Sequence, residues 1–181
     1  MRRIRSLLTQ FLTGVLVYFV LARPVPALAQ TQAAEPDLKA AIILNMLLFV
    51  DWPALNARPT DQLTVCYQGS GAVATALVKL DGKTVKGKTL KVVPLGSANA
   101  AECLALYITP GTTAIEKILS QFGSLPTLIT SDSPDYFQHG VMLNLELVGG
   151  RIVFDIDLRS AQKAGLQVSS KALHLARQVI E

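Results

Sequence analysis

The stretch Val141-Met142-Leu143-Asn144-Leu145-Glu146-Leu147-Val148-Gly149-Gly150-Arg151-Ile152-Val153-Phe154-Asp155-Ile156-Asp157-Leu158 decides the fold class. Side chains alternate with period two along a strand, so Val141, Leu143, Leu145 and Leu147 share one face and Asn144 and Glu146 the other. Gly149-Gly150 supplies the two residues that a tight hairpin turn asks for. On the return, Ile152, Phe154, Ile156 and Leu158 line one face against Val153, Asp155 and Asp157. The pattern predicts an antiparallel pair in which Asp155 and Asp157 lie on a polar outer face.

Upstream of this hairpin the period changes. Residues 63–67, 90–93, 103–108 and 127–130 are apolar runs of strand length, as expected of strands buried on both sides. Between them lie helical patterns: residues 38–50, apolar on nearly every side; residues 71–79; and Ile115, Ile118, Leu119 and Phe122 at helical spacing, closed by Gly123. Pro36 suits the first turn of the first helix, and Trp52-Pro53 stops it. Downstream, a last helix is expected to open at Ser169 or Ser170, with Ala172, Leu175, Ala176 and Val179 facing inward. Strands alternating with helices and then a hairpin predict an α/β fold: a single-domain mixed β-sheet covered by helices on both faces, a three-layer α/β/α-like arrangement over residues 36–181.

The other end of the chain reads as an address. Arg2, Arg3 and Arg5 precede an apolar stretch from Leu7 to Leu21, and Ala27-Leu28-Ala29 offers the small residues a signal peptidase needs. A membrane anchor would need about 20 predominantly apolar residues; this stretch is shorter and ends at Arg23-Pro24. Residues 1–29 are therefore expected to be a cleavable signal, residues 30–35 a flexible mature amino terminus, and the periplasm the destination. Four of the seventeen basic residues lie in that leader, leaving thirteen against thirteen acidic ones. The sequence pI of 9.2 thus belongs mostly to the leader. Nothing in the remainder points to a nucleic acid or to direct membrane insertion.

Catalytic chemistry has little to work with. His174 falls opposite the apolar face of the last predicted helix and His139 lies in a turn, so the two histidines do not converge. Metal ligands at workable spacing are missing, and no Gly-x-Ser-x-Gly nucleophile motif occurs. No catalytic residue, metal or cofactor is expected, which weighs against an envelope hydrolase. The carboxyl ends of the predicted strands carry Gln68-Gly69-Ser70, Thr109 with Gly111-Thr112-Thr113, and Thr130-Ser131-Asp132. Open α/β sheets bind ligands at that edge. Those residues are either a binding site for a small molecule or, equally in keeping with their types, helix N-caps.

The residues Leu38-Lys39-Ala40-Ala41 through Phe49-Val50-Asp51-Trp52-Pro53 resemble the opening helix of the YfiR family of periplasmic proteins. The likeness continues through Leu63-Thr64-Val65-Cys66, Asp81-Gly82-Lys83-Thr84-Val85-Lys86-Gly87, residues 103–108 and residues 127–132. It ends with residues 151–158, Ala161, Gly165-Leu166 and Ser169-Ser170. The resemblance implies a periplasmic repressor that binds the periplasmic domain of an inner-membrane diguanylate cyclase, linking envelope or redox state to cyclic di-GMP and biofilm formation. A homodimer is compatible with it. An exported chain with two cysteines in predicted core strands is expected to oxidise them, and family members pair the positions matching Cys66 and Cys103. Two buried free thiols are the alternative.

Overall fold

A computed structural model describes residues 33–53, 61–123 and 125–181. In chain order the elements are α1 (Glu35–Phe49), β1 (Val50–Asp51), β2 (Gln62–Gln68), α2 (Ala72–Val78), β3 (Thr84–Val85) and β4 (Lys88–Pro94). A 3-10 turn, Ala100–Glu102, leads to β5 (Ala105–Ile108), α3 (Ile115–Ser120), β6 (Leu128–Ser131) and a second 3-10 turn, Pro134–His139. The chain ends with β7 (Leu143–Val148), β8 (Arg151–Asp157), α4 (Leu158–Lys163), β9 (Gln167–Val168), α5 (Ser170–Leu175) and β10 (Gln178–Ile180). Residues Ala33–Glu181 make one compact unit. The expected signal and the first residues of the expected flexible amino terminus lie outside the described residues. Among the described residues no helix is long and apolar enough to cross a membrane.

Eight strands form one sheet in the order β10-β8-β7-β6-β5-β2-β4-β3, and β1 pairs with β9 in a small separate ribbon. Strands β4, β2, β5, β6 and β7 run parallel to one another, whereas β3 is antiparallel to β4 and β8 returns antiparallel to β7 through the glycine turn. Gly149 and Gly150 have φ of 56° and 78°, the left-handed values such a turn demands. From β2 the chain steps outward to β4, and from β5 it steps the opposite way to β6. Right-handed crossovers therefore put α2 and α3 on opposite faces. Helix α1 packs against α2, α5 and β8 on its side. This is the mixed, doubly covered sheet that the alternation of patterns implied. Its centre is β5, whose four residues are all buried, with Leu106 and Ile108 between Cys66, Ile129 and their neighbours.

Two readings of the carboxyl-terminal region need correction. The last helix stops at Leu175, which is 67% exposed, and the chain then re-enters the sheet as β10, parallel to β8. Val179 is thus a strand residue. Apolar residues at 172, 175, 176 and 179 satisfy helical spacing, but Gln178-Val179-Ile180 also fills the free edge of β8, and edge pairing wins. Asp155 is not on an outer polar face. It is buried because the helices cover both sides of the sheet, and so is Asn144 opposite it. Asp157, on the same strand face, is half-buried at the end of β8, where it caps α4 by accepting from the Ser160 backbone N–H at 2.8 Å.

Candidate functional site at the carboxyl ends of the central strands

The strand order reverses between β2 and β5, so the crevice outside their carboxyl ends is where an open α/β sheet offers a ligand site. Gly69 follows β2 and Thr109 follows β5, joined by a hydrogen bond from the Thr109 N–H to the Gln68 carbonyl at 3.0 Å. A Cβ on Gly69 would lie 3.0 Å from Thr109 Cβ and 3.1 Å from Thr112 Oγ1, and one on Gly71 would lie 2.9 Å from Thr109 Cγ2. Those glycines are there because the two loops touch. The crevice is closed by backbone and threonine side chains.

The hydroxyls predicted to face a ligand mostly bind the protein's own backbone. Thr112 Oγ1 donates to the Thr109 carbonyl at 2.6 Å, Thr130 Oγ1 to the Leu106 carbonyl at 3.2 Å, and Ser131 Oγ to the Ile108 carbonyl at 2.8 Å. Ser70 and Gly111 are exposed and Gln68 is half-buried at the end of β2, so these three stand apart from the buried cluster. Thr109 Oγ1 differs from the others: it is buried and reaches no hydrogen-bond partner of good geometry.

Asp132 is the residue on which the edge converges. Its Oδ1 accepts from the Tyr107 hydroxyl at 2.6 Å, and its Oδ2 accepts from Lys39 Nζ at 2.8 Å. Lys39 also reaches Glu35, one turn earlier on α1, at 2.7 Å. Burial pulls the Lys39 ammonium down, but hydrogen bonds and charge from Asp132 and Glu35 outweigh it, and its pKa rises above the ordinary 10.5. Burial and then the Asp132 carboxylate hold the Tyr107 phenol protonated well above its ordinary range, with Thr109 pulling the other way. A neutral phenol and a paired ammonium are poor acids and bases near neutrality, so this arrangement braces rather than reacts. It ties α1 across the ends of β5 and β6.

Lys39 and Tyr107 were not legible as site residues. Lys39 is an interruption in an otherwise apolar helix, and a lone cation in a helix buried all round must find a carboxylate; that was the available signal. Tyr107 gives none, since it sits in an apolar run. Among the described residues no group of three or more His, Cys, Asp or Glu side chains is placed to hold a metal. His139 lies 3.1 Å from Glu116 at the surface.

The cysteines lie elsewhere, toward the other end of β5. Cys66 in β2 is bridged to Cys103, with Cα atoms 5.6 Å apart. Cys103 closes the 3-10 turn before β5, two residues earlier than the strand itself, and its carbonyl accepts from Thr127 Oγ1 at 2.7 Å. Both residues are almost wholly buried.

A crystal structure of a conserved domain protein from Vibrio cholerae O1 biovar El Tor superposes on this fold with a TM-score of 0.53 at 15% identity. The superposition covers 82% of this chain and spans 61% of the length of that protein, so the likeness is one of fold. No curated protein sequence matches the chain. The sequence pattern of the YfiR/HmsC-like family, by contrast, matches residues 36–177, nearly the whole of the described unit from the first turn of α1 to the residue before β10. The chain belongs to the YfiR/HmsC-like family, a family of periplasmic regulators.

Proposed function

We propose that this protein is a periplasmic repressor: it binds the periplasmic sensor domain of an inner-membrane diguanylate cyclase and holds cyclic di-GMP synthesis, and with it biofilm formation, down. Membership of the family over residues 36–177 is the observation that supports this reading. The leader of residues 1–29 would deliver the domain to that compartment and be removed before Gln30. Repression then works by differential affinity. A protein that binds the inactive cyclase more tightly than the active one shifts the equilibrium by that difference, and release under envelope stress reverses it. Deleting the gene in cells shown to contain the cyclase is expected to raise cyclic di-GMP and biofilm matrix. Unchanged nucleotide levels in such cells would refute repression.

The buried Thr109 hydroxyl, which reaches no hydrogen-bond partner of good geometry, favours a second reading, a small-molecule binding module at the strand ends. The contacts of Gly69 and Gly71 oppose it, since a ligand there must first part the two loops. A ligand-induced rise in melting temperature would support it.

A further inference from the structure

One edge of the sheet carries a charge that the balance of the whole chain hides. Lys79, Lys83, Lys86, Lys88 and Lys91 all lie between residues 79 and 91, with Asp81 as the sole acid among them. Lys79 closes α2, and the other four lie on or beside the hairpin of β3 and β4, the last two strands at that end of the sheet. Lys88 is half-buried and the rest are exposed. Asp81 is taken up by the fold, where its carboxylate accepts from the Val92 N–H at 2.7 Å. Lys79 approaches Asp37 at 3.5 Å, but Lys83, Lys86, Lys88 and Lys91 form no ion pair with a described residue. Asp61, whose carbonyl accepts from the Thr89 N–H beside them, forms none either.

The tip of this hairpin is built against backbone preference. Lys86 and Gly87 make its two-residue turn with φ of 51° and 75°, and among the described residues only Lys86 and Ala114 have positive φ without being glycine. Such a turn favours Asn or Gly at its first position, and a lysine there is strained. A Cβ on Gly87 would meet nothing within 4 Å, so the turn stands in open solvent. Exposed and without an ion pair, Lys86 offers that turn only its charge.

We propose that this hairpin docks the domain on a bilayer surface rich in anionic phospholipid, its ammonium groups lying among the headgroup phosphates. Lysine alone makes the patch. A compact charge on a flexible stem suits a diffuse field of phosphates, whereas an anionic group at a fixed place on a protein calls for the planar fork of arginine. Protein interfaces are also centred on aromatic or apolar anchors, and the hairpin has none to offer, because Val85 and Leu90 are turned into the core. For the same reason the contact stays at the headgroups, without insertion. Acids elsewhere do not cancel the field: Glu146, Asp155 and Asp157, on β7 and β8, are at least four strand spacings of about 4.8 Å from β4, beyond the reach of about 8 Å that physiological salt allows. A periplasmic protein works beside such a surface, and the docking does not depend on the cyclase reading.

The test is sedimentation of the secreted protein with vesicles of phosphatidylcholine alone and of phosphatidylcholine mixed with phosphatidylglycerol, at low and high salt. Binding is expected to the mixed vesicles only and should fade at high salt, since each lysine near an anionic surface strengthens binding about fivefold. Lys83→Gln, Lys86→Gln and Lys91→Gln together should weaken it about a hundredfold. Lys163→Gln, on α4 beside β10 at the opposite edge, should leave it unchanged. Lys86→Asn separates charge from fold: asparagine suits the turn, so the melting temperature should rise while vesicle binding falls about fivefold. Binding to neither vesicle, binding that persists at high salt, or binding that Lys86→Asn and the triple variant leave intact overturns the proposal. A triple variant that loses a protein partner and keeps the vesicles would assign the hairpin to that partner instead.

Discussion

Asp132, half-buried, and Asp155, buried, each hold a cation from another part of the chain, and they stabilise their halves of the sheet differently. Asp132 sits at the carboxyl end of the parallel half, where Lys39 and Tyr107 converge on it and Lys39 is 6% exposed. Asp155 sits in the hairpin half, where Arg177 bridges it to Glu146 with 40% of the Arg177 side chain in solvent. The parallel half also contains the cross-link, and the half formed by β7, β8 and β10 has none. The difference teaches where rigidity lies: the parallel half is held by a buried cross-link and a buried ammonium, and the hairpin half by a guanidinium whose charge water can screen.

The largest expected effect lies in the parallel half. Replacing both Cys66 and Cys103 by Ser opens a loop of 37 residues, which the chain-entropy view puts at about 4 kcal/mol, and each buried hydroxyl lacks an assured partner. Thermal melting should fall by many degrees, and reductant should lower the native protein toward the same value. Any surviving folded fraction should still bind the proposed cyclase partner, since the bridge lies inside the core. A folded, abundant double variant that fails to bind would make the bridge a redox switch instead.

Lys39→Met comes next. It leaves the half-buried Asp132 carboxylate with the Tyr107 hydroxyl as its remaining donor; breaking a fully buried pair costs about 3 kcal/mol, and the partial exposure of Asp132 lowers that to about 2 kcal/mol. Its pH dependence is distinctive. Lys39 and Tyr107 both hold their protons more tightly folded than unfolded, so their contribution is whole at neutral pH. As pH rises past the ordinary values of 10.0 and 10.5 the unfolded chain releases protons first, and stability falls. Lys39→Met should shrink that alkaline fall and leave Tyr107 to supply the rest. Equal alkaline slopes in the two proteins would show that Lys39 is not tied to the carboxylates.

The parallel half was also the more legible one. Apolar runs at residues 63–67, 103–108 and 127–130 have one reading as buried strands, and the glycine pair fixes the hairpin register residue by residue. Residues 170–180 have two readings. Their apolar spacing suits a helix, and only the tertiary fact that β8 lacks a neighbour turns Gln178-Val179-Ile180 into a strand. The site was legible as an edge and not as a constellation. Gly69, Thr109, Thr112 and Asp132 were named from strand ends, but the partner that fills the edge, Lys39, comes from a helix more than ninety residues away. No local pattern encodes that distance.

The smallest expected effect tests the hairpin half. Glu146 and Arg177 approach to 2.6 Å, yet their side chains are 38% and 40% exposed, so their attraction is screened by water and offset by the entropy of holding two long side chains. Arg177 keeps its second partner in Glu146→Gln, because Nε still donates to Asp155 Oδ1 at 2.9 Å. The Arg177 pKa, raised first by Asp155 and then by Glu146, stays far above any working pH, so no titration of the guanidinium enters. Glu146→Gln should therefore cost no more than about 0.5 kcal/mol and lose most of that in high salt. A loss as large as that of Lys39→Met would mean that the ion network, and not the backbone pairing of β10, holds the end of the chain in the sheet.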